Sequence, residues 1–161
     1  MNIQAAFLAN QTRELMSEGT FIANTNVMLQ LDAIDWQDAR KKIGNLNSIA
    51  ELAFHLDYYF EGLLKGYETG VLDTHDRDSF SLKPIVSDAD WKELKMRLIR
   101  NSKEFANLVE GFSEEQLNAP FIEPKYGSNR RNIQAIIEHG YYHLGQIVLI
   151  RKMLSEEKSR D

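Results

Sequence analysis

The sequence predicts an all-α domain, a four-helix bundle, on three observations. Four long stretches carry apolar residues at helical spacing. Only three prolines and nine glycines interrupt the 161 residues, and no stretch reads convincingly as a strand. With 43% hydrophobic residues the chain can bury a core, so residues 1–161 are expected to form a single domain.

The first helix is expected over residues 2–31, where Leu8, Leu15, Ile22 and Leu29 repeat every seven residues beside Phe7, Phe21 and Met28. Gln11, Glu18 and Thr25 fall between them. They either edge a narrow apolar stripe or, for Glu18 and Gln11, face a polar pocket. Residues 32–44 hold a short helical turn around Asp35-Trp36-Gln37-Asp38 and a basic Arg40-Lys41-Lys42, read as a solvated connection.

Ser48-Ile49-Ala50-Glu51 has the spacing of a capping box, in which the hydroxyl and the carboxylate each close an orphan backbone N–H, so the second helix begins there. Ile49, Leu52, Leu56, Tyr59 and Leu63 carry its core face, and Gly70 is a natural stop. His55 flanks that face. Residues 71–87 are polar, contain Pro84, and are long for a turn between antiparallel neighbours, so this connection can cross the bundle. His75, within it, is expected to face solvent.

Ser87-Asp88-Ala89-Asp90 is a second capping signal, opening a third helix that runs to about Glu110 with Trp91, Leu94, Leu98, Asn101, Phe105 and Leu108 on its seam. Asn101 breaks that seam; it either sets register or faces the same pocket as the histidines. Ser113-Glu114-Glu115-Gln116 starts a short turn, and 118–131, with Pro120, Pro124 and Gly127, reads as an irregular loop. The fourth helix is expected over about 131–155.

That last helix contains Glu138-His139-Gly140-Tyr141-Tyr142-His143-Leu144-Gly145-Gln146. Residues four apart on a helix share a face, roughly 6 Å from one another, so two imidazoles at this spacing can converge on one ion. The alternative is a pair of half-exposed or hydrogen-bonded histidines. Ile133, Ile136, Gly140, His143, Ile147, Ile150 and Leu154 recur at spacings of three and four, which gives His143 a position otherwise held by aliphatic core residues. A buried imidazole needs a partner for each nitrogen, and a metal is one such partner. Of the two remaining histidines, His55 lies in an apolar helical pattern and is the candidate third ligand.

The balance of 19 basic against 24 acidic residues argues against nucleic acid as a partner. No cysteine is present, so thiol chemistry would need a thiol from outside. Met1-Asn2-Ile3-Gln4-Ala5-Ala6-Phe7 lacks the basic start and apolar run of a signal peptide, and no stretch reaches the roughly 18 apolar residues of a membrane span. A cytoplasmic protein without membrane contact is expected. Leu64, Val71 and Phe80 read as outward apolar residues, which suggests coverage by a symmetric partner and hence a homodimer.

Asn47-Ser48-Ile49-Ala50 leading to His55, the long crossover, the Ser-Glu-Glu-Gln-Leu turn and the final His-Gly-Tyr-Tyr-His-Leu-Gly-Gln-Ile helix together resemble the DinB-like (DinB/YfiT) family of metalloenzymes, over essentially the whole chain. The resemblance implies a bundle of up-down-down-up order. It implies that His55, His139 and His143 bind a divalent metal ion, nickel or zinc foremost. It also implies a small-molecule substrate, since some relatives transfer or isomerise substrates with low-molecular-weight thiols.

Three neutral imidazoles would leave such an ion its full charge and an open position, the arrangement of a catalytic site. The expected activity is therefore a thiol-dependent S-transferase, with a metal-dependent hydrolase or a non-catalytic ligand-binding bundle as alternatives. Gln146, one turn beyond His143, would either hydrogen-bond a ligand or tie the helix to a neighbour. Glu18 is the candidate general base. Tyr59 and Tyr142 either line the pocket or pack in the core, and Glu138 is expected in solvent.

Overall fold

A computed structural model of the chain describes residues 2–159, and among these the regular structure is entirely helical apart from one isolated bridge between Pro120 and Ser128. The α-helices are α1 (Ile3–Arg13), α2 (Val27–Asp32), α3 (Trp36–Ala39), α4 (Ile49–Thr69), α5 (Asp88–Glu110), α6 (Glu114–Asn118) and α7 (Asn129–Lys158). None is long and apolar enough to cross a membrane.

The caps that the sequence announces are made. Ser48 Oγ accepts from the Glu51 N–H at 3.2 Å while Glu51 returns a bond to the Ser48 N–H at 2.7 Å, and Ser87 and Ser113 open α5 and α6 with the same hydroxyl contact. Each such cap is worth on the order of 1 kcal/mol. Gly70 closes α4 with φ at +75°, the left-handed conformation that a side chain disfavours.

The expected continuous first helix is broken. After α1 the chain widens into a π-helical turn at Glu14–Glu18, and Gly19 leaves it fully extended. Glu14 then accepts the Phe21 N–H at 3.1 Å, and Ala23 and Asn24 take up positive φ. Asn26 both donates to the Gly19 carbonyl at 2.8 Å and caps α2 by accepting from Leu29 N–H. These side-chain bonds offer the backbone a turn in place of a helix. The seven-residue repeat is therefore only half realised: Leu8 and Leu15 are buried, whereas Ile22 and Leu29 are 45% and 52% exposed and Val27 and Leu31 fill the core instead.

α5 packs along both α1 and α4, and α7 packs against α4, α1 and α2. Asn101 of α5 meets Asp57 of α4, and Phe105 meets Phe60 at a ring separation of 5.6 Å. Between α4 and α7, His55 lies beside His139 and His143 while Tyr67 reaches Asn129. The expected seam of α7, including Ile133, Gly140, His143 and Ile147, is buried throughout.

Two of the residues expected to point outward do not. Leu64 packs against the core, and Phe80 stacks on the His55 ring; of the three, Val71 is exposed.

Candidate metal centre

α4 and α7 bring three imidazoles together. His139 Nε2 lies 3.1 Å from His55 Nε2 and 2.8 Å from His143 Nε2. His55 and His143 are buried, 6% and 5% exposed, and His139 is half-buried. The three donor nitrogens all fall within 4.8 Å of one another, and the cluster could hold a metal ion.

The outer nitrogens decide what the inner ones can do. His55 Nδ1 lies 3.2 Å from the Ser79 carbonyl, which can only accept, so the proton of the neutral ring sits on Nδ1. His143 Nδ1 donates likewise to Gln146 Oε1 at 2.7 Å, while the Gln146 amide group donates to Tyr142 OH at 3.0 Å. Both rings therefore present bare Nε2 lone pairs to His139. A proton on His139 Nε2 can serve one of them; a divalent cation serves all three. Histidine ligands usually have the second nitrogen tied to a carbonyl in this way.

Burial keeps the rings neutral. It pushes His55 and His139 down to about 4, helped at His55 by both other imidazoles and at His139 by His143, and it lowers His143 against the opposing bond from Gln146. Neutral imidazole is the form that binds a metal.

The connection between α4 and α5 supplies part of the cluster's support. Phe80 stacks on His55 with ring centres 4.1 Å apart, and Tyr59 meets the same ring edge-on at 4.9 Å. Tyr58 OH accepts the His75 N–H at 2.8 Å, and Tyr59 OH donates to Asp76 at 2.9 Å. Gly62 lets this segment close in, since a methyl group there would collide with Thr74. His139 also borders a cleft of about 340 Å³ whose wall includes Tyr59, Asp76, Phe121 and Ile136.

The family model described as the DinB superfamily matches residues 24–147. This protein belongs to the DinB superfamily. No curated protein and no solved structure matches it. A histidine triad shared between α4 and α7 of this DinB protein is consistent with binding a divalent ion, and His55, His139 and His143 fit one by their donor chemistry.

Other expected site residues fall elsewhere. Glu18 is exposed and lies 3.8 Å from Lys103 of α5, not in the histidine cluster. Gln146 accepts from His143 Nδ1 and donates to Tyr142 OH, both on α7, rather than bonding a neighbouring helix. Tyr59 does line the cleft, whereas Tyr142 is 62% exposed. His75 is exposed and Glu138 pairs at the surface with Arg131 at 3.0 Å. Asn101 donates to buried Asp57 at 2.8 Å, away from the imidazoles. Asp76, Ser79 and the inward role of Phe80 have no signal in the sequence. They sit in a polar stretch without periodicity, and only the fold carries them to His55.

Proposed function

We propose that this DinB protein is a metal-dependent enzyme in which His55, His139 and His143 hold one divalent ion, zinc or nickel, and that it conjugates an external low-molecular-weight thiol to a small electrophile. The observation that carries the reading is the pair of bare Nε2 lone pairs aimed at His139 beside an open cleft. Such an ion, when bound, supplies Lewis acidity that lowers the pKa of a coordinated water or thiol.

The chain's own residues supply position and shelter. Ser79 and Gln146 fix the ring tautomers, Phe80 shields one face of His55, and the cleft next to His139 receives the substrate. No cysteine is present, so the sulfur nucleophile comes from outside. The thiolate sulfur bonds to the electrophilic carbon as the leaving group departs with its electron pair, and the thiol proton passes to solvent. Glu18, the base a hydrolase would have drawn on, faces Lys103 at the surface, which favours the transferase over the hydrolase.

We further propose that α1, α4, α5 and α7 form a four-helix bundle in up-down-down-up order. The sequence of contacts supports it: Asp57 and Phe60 of α4 meet Asn101 and Phe105 of α5 in rising order, while His55 and Tyr67 meet His143 and Asn129 of α7 in falling order.

The test is to load the protein with zinc or nickel and supply a small thiol with monochlorobimane, and in parallel an activated ester without thiol. Metal-dependent conjugation that is lost in His143→Ala is the expected result. Ester hydrolysis with no thiol requirement would make the protein a hydrolase, and neither activity across a range of thiols would make it a binding protein.

A further inference from the structure

The cleft beside His139 is divided between apolar side chains and one negative group. One part of its wall is apolar, from Leu63, Leu72, Phe121 and Ile136, and the other carries Tyr59 and Asp76. Neither lysine nor arginine lines it, and Asp76 is its one carboxylate. Basic groups nearby are engaged elsewhere: Arg77 pairs with Asp78 at 3.4 Å, and His75 lies 3.2 Å from Asp73. Asp76 has no ion-pair partner among the described residues.

The carboxylate is also held in place. Its Oδ1 accepts the Tyr59 hydroxyl at 2.9 Å, and Tyr59 is pushed up to about 12 by burial and by Asp76, so the phenol remains a donor. Asp76 opens a 3₁₀ turn, Asp76–Asp78, that Tyr58 pins through the backbone N–H of His75. A carboxylate offers about four lone-pair sites, of which the phenol uses one. An exposed carboxylate held by a phenol, without an ion-pair partner and sharing its cleft with apolar side chains, gains a charge-assisted hydrogen bond from a cationic ligand and repels an anionic one.

We propose that this cleft selects small molecules with a cationic nitrogen group at one end and an apolar body, and that Asp76 is the residue that determines this specificity. The proposal rests on the reading of the cleft as the substrate side of the metal site, and it names the substrate class. The apolar body lies against Leu63, Leu72 and Phe121. The nitrogen group donates to Asp76, and the remainder of the molecule extends toward His139.

The test compares benzamidinium with benzamide, two probes of one shape that differ in charge, by titration calorimetry on the full chain in chelated and zinc-loaded form. Benzamidinium is expected to bind up to about fivefold more tightly than benzamide, as an exposed ion pair provides. In Asp76→Asn, which keeps an acceptor for Tyr59, the two should bind alike while zinc uptake and melting temperature hold. Leu63→Trp, filling the cleft, should weaken both probes together. Equal affinity of the two probes for the unmodified protein, a preference that survives Asp76→Asn, or undiminished affinity for both probes in Leu63→Trp would overturn the proposal. The outcomes separate from those of the metal reading. An Asp76-dependent preference in a protein that takes up no zinc would leave the cleft's selectivity standing and remove the metal, and zinc uptake without the preference would do the reverse.

Discussion

Two polar clusters are buried between the helices of this protein, and they are built on opposite plans. In one, the fully buried Asp57 of α4 receives Arg97 on one carboxylate oxygen and Asn101 on the other, at 2.8 Å for Asn101. Every strong group there meets its complement. In the other, His55, His139 and His143 turn like toward like, with lone pairs that one proton cannot satisfy. Buried polar groups require partners, so a cluster complete in itself ties helices together, whereas one whose members share the same deficiency is shaped for a guest. That difference, more than burial or residue type, separates a structural cluster from a candidate site.

Removing one member from each cluster should separate zinc binding from stability. His139→Ala deletes the nitrogen that both other rings approach, and stoichiometric zinc binding should be abolished, with the melting temperature of the metal-free protein nearly unchanged. His55→Ala and His143→Ala should do the same; full zinc retention by either, measured by elemental analysis, would refute the ligand set. Arg97→Ala should behave in the contrary way. It strands a buried carboxylate and should lower stability in urea by about 2–4 kcal/mol, while zinc remains at one per chain.

Gln146→Leu tests the support rather than the ligands. Removing the acceptor of the His143 Nδ1 proton frees the ring to rotate and to change tautomer, and loss of such a partner typically weakens metal binding about ten- to a hundredfold. Global stability should hold. An unchanged zinc affinity by competition with a chelator would show that the bond from His143 does not position the ring.

The smallest expected effect is on pH. Histidine carries an ordinary value near 6.5, and His55 and His139 are lowered to about 4 in the fold. The unfolded chain therefore takes up protons first as pH falls, so the metal-free protein keeps these rings' full contribution above about 6.5 and loses it progressively toward 4. For the same reason zinc occupancy should persist at pH 6, where ordinary histidines are largely protonated, and fall only as the pH approaches 4. Melting curves and elemental analysis across that range check both. Half-loss of weakly bound zinc near pH 6.5 would mean that the rings titrate as exposed ones do.

What can be read from the sequence follows the helix period. His139 and His143 are legible because a rigid helix places i and i+4 together, and the seam through Ile133, Gly140 and Ile147 follows the same rule. The boundaries of α4 and α5 are legible in Ser48, Gly70 and Ser87, whose chemistry is local. Two kinds of feature escape. The apolar repeat carries the expected first helix too far because it continues through Ile22, which sits in a turn that Glu14 and Asn26 build through side-chain bonds, and periodicity does not register those bonds. The segment that holds Asp76, Ser79 and Phe80 escapes because its position depends on contacts with Tyr58, Tyr59 and Gly62 of α4. Asp57 has a partial signal, since a polar residue beside the apolar face of α4 is matched by Asn101 on the seam of α5.

Gly140 stands between the two histidines of α7, where a methyl group would collide with the side chain of Leu15. Leu15 belongs to the π-helical turn, the wider coil that ends the first helical stretch. Leu15 thus occupies the space that a side chain at position 140 would need, a knob set into a notch of α7. The two imidazoles on α7 flank this contact with a distant, earlier part of the chain that contributes no ligand. The irregular coil that defeats the helical repeat therefore packs directly beneath the histidine cluster of α7, between its two imidazoles.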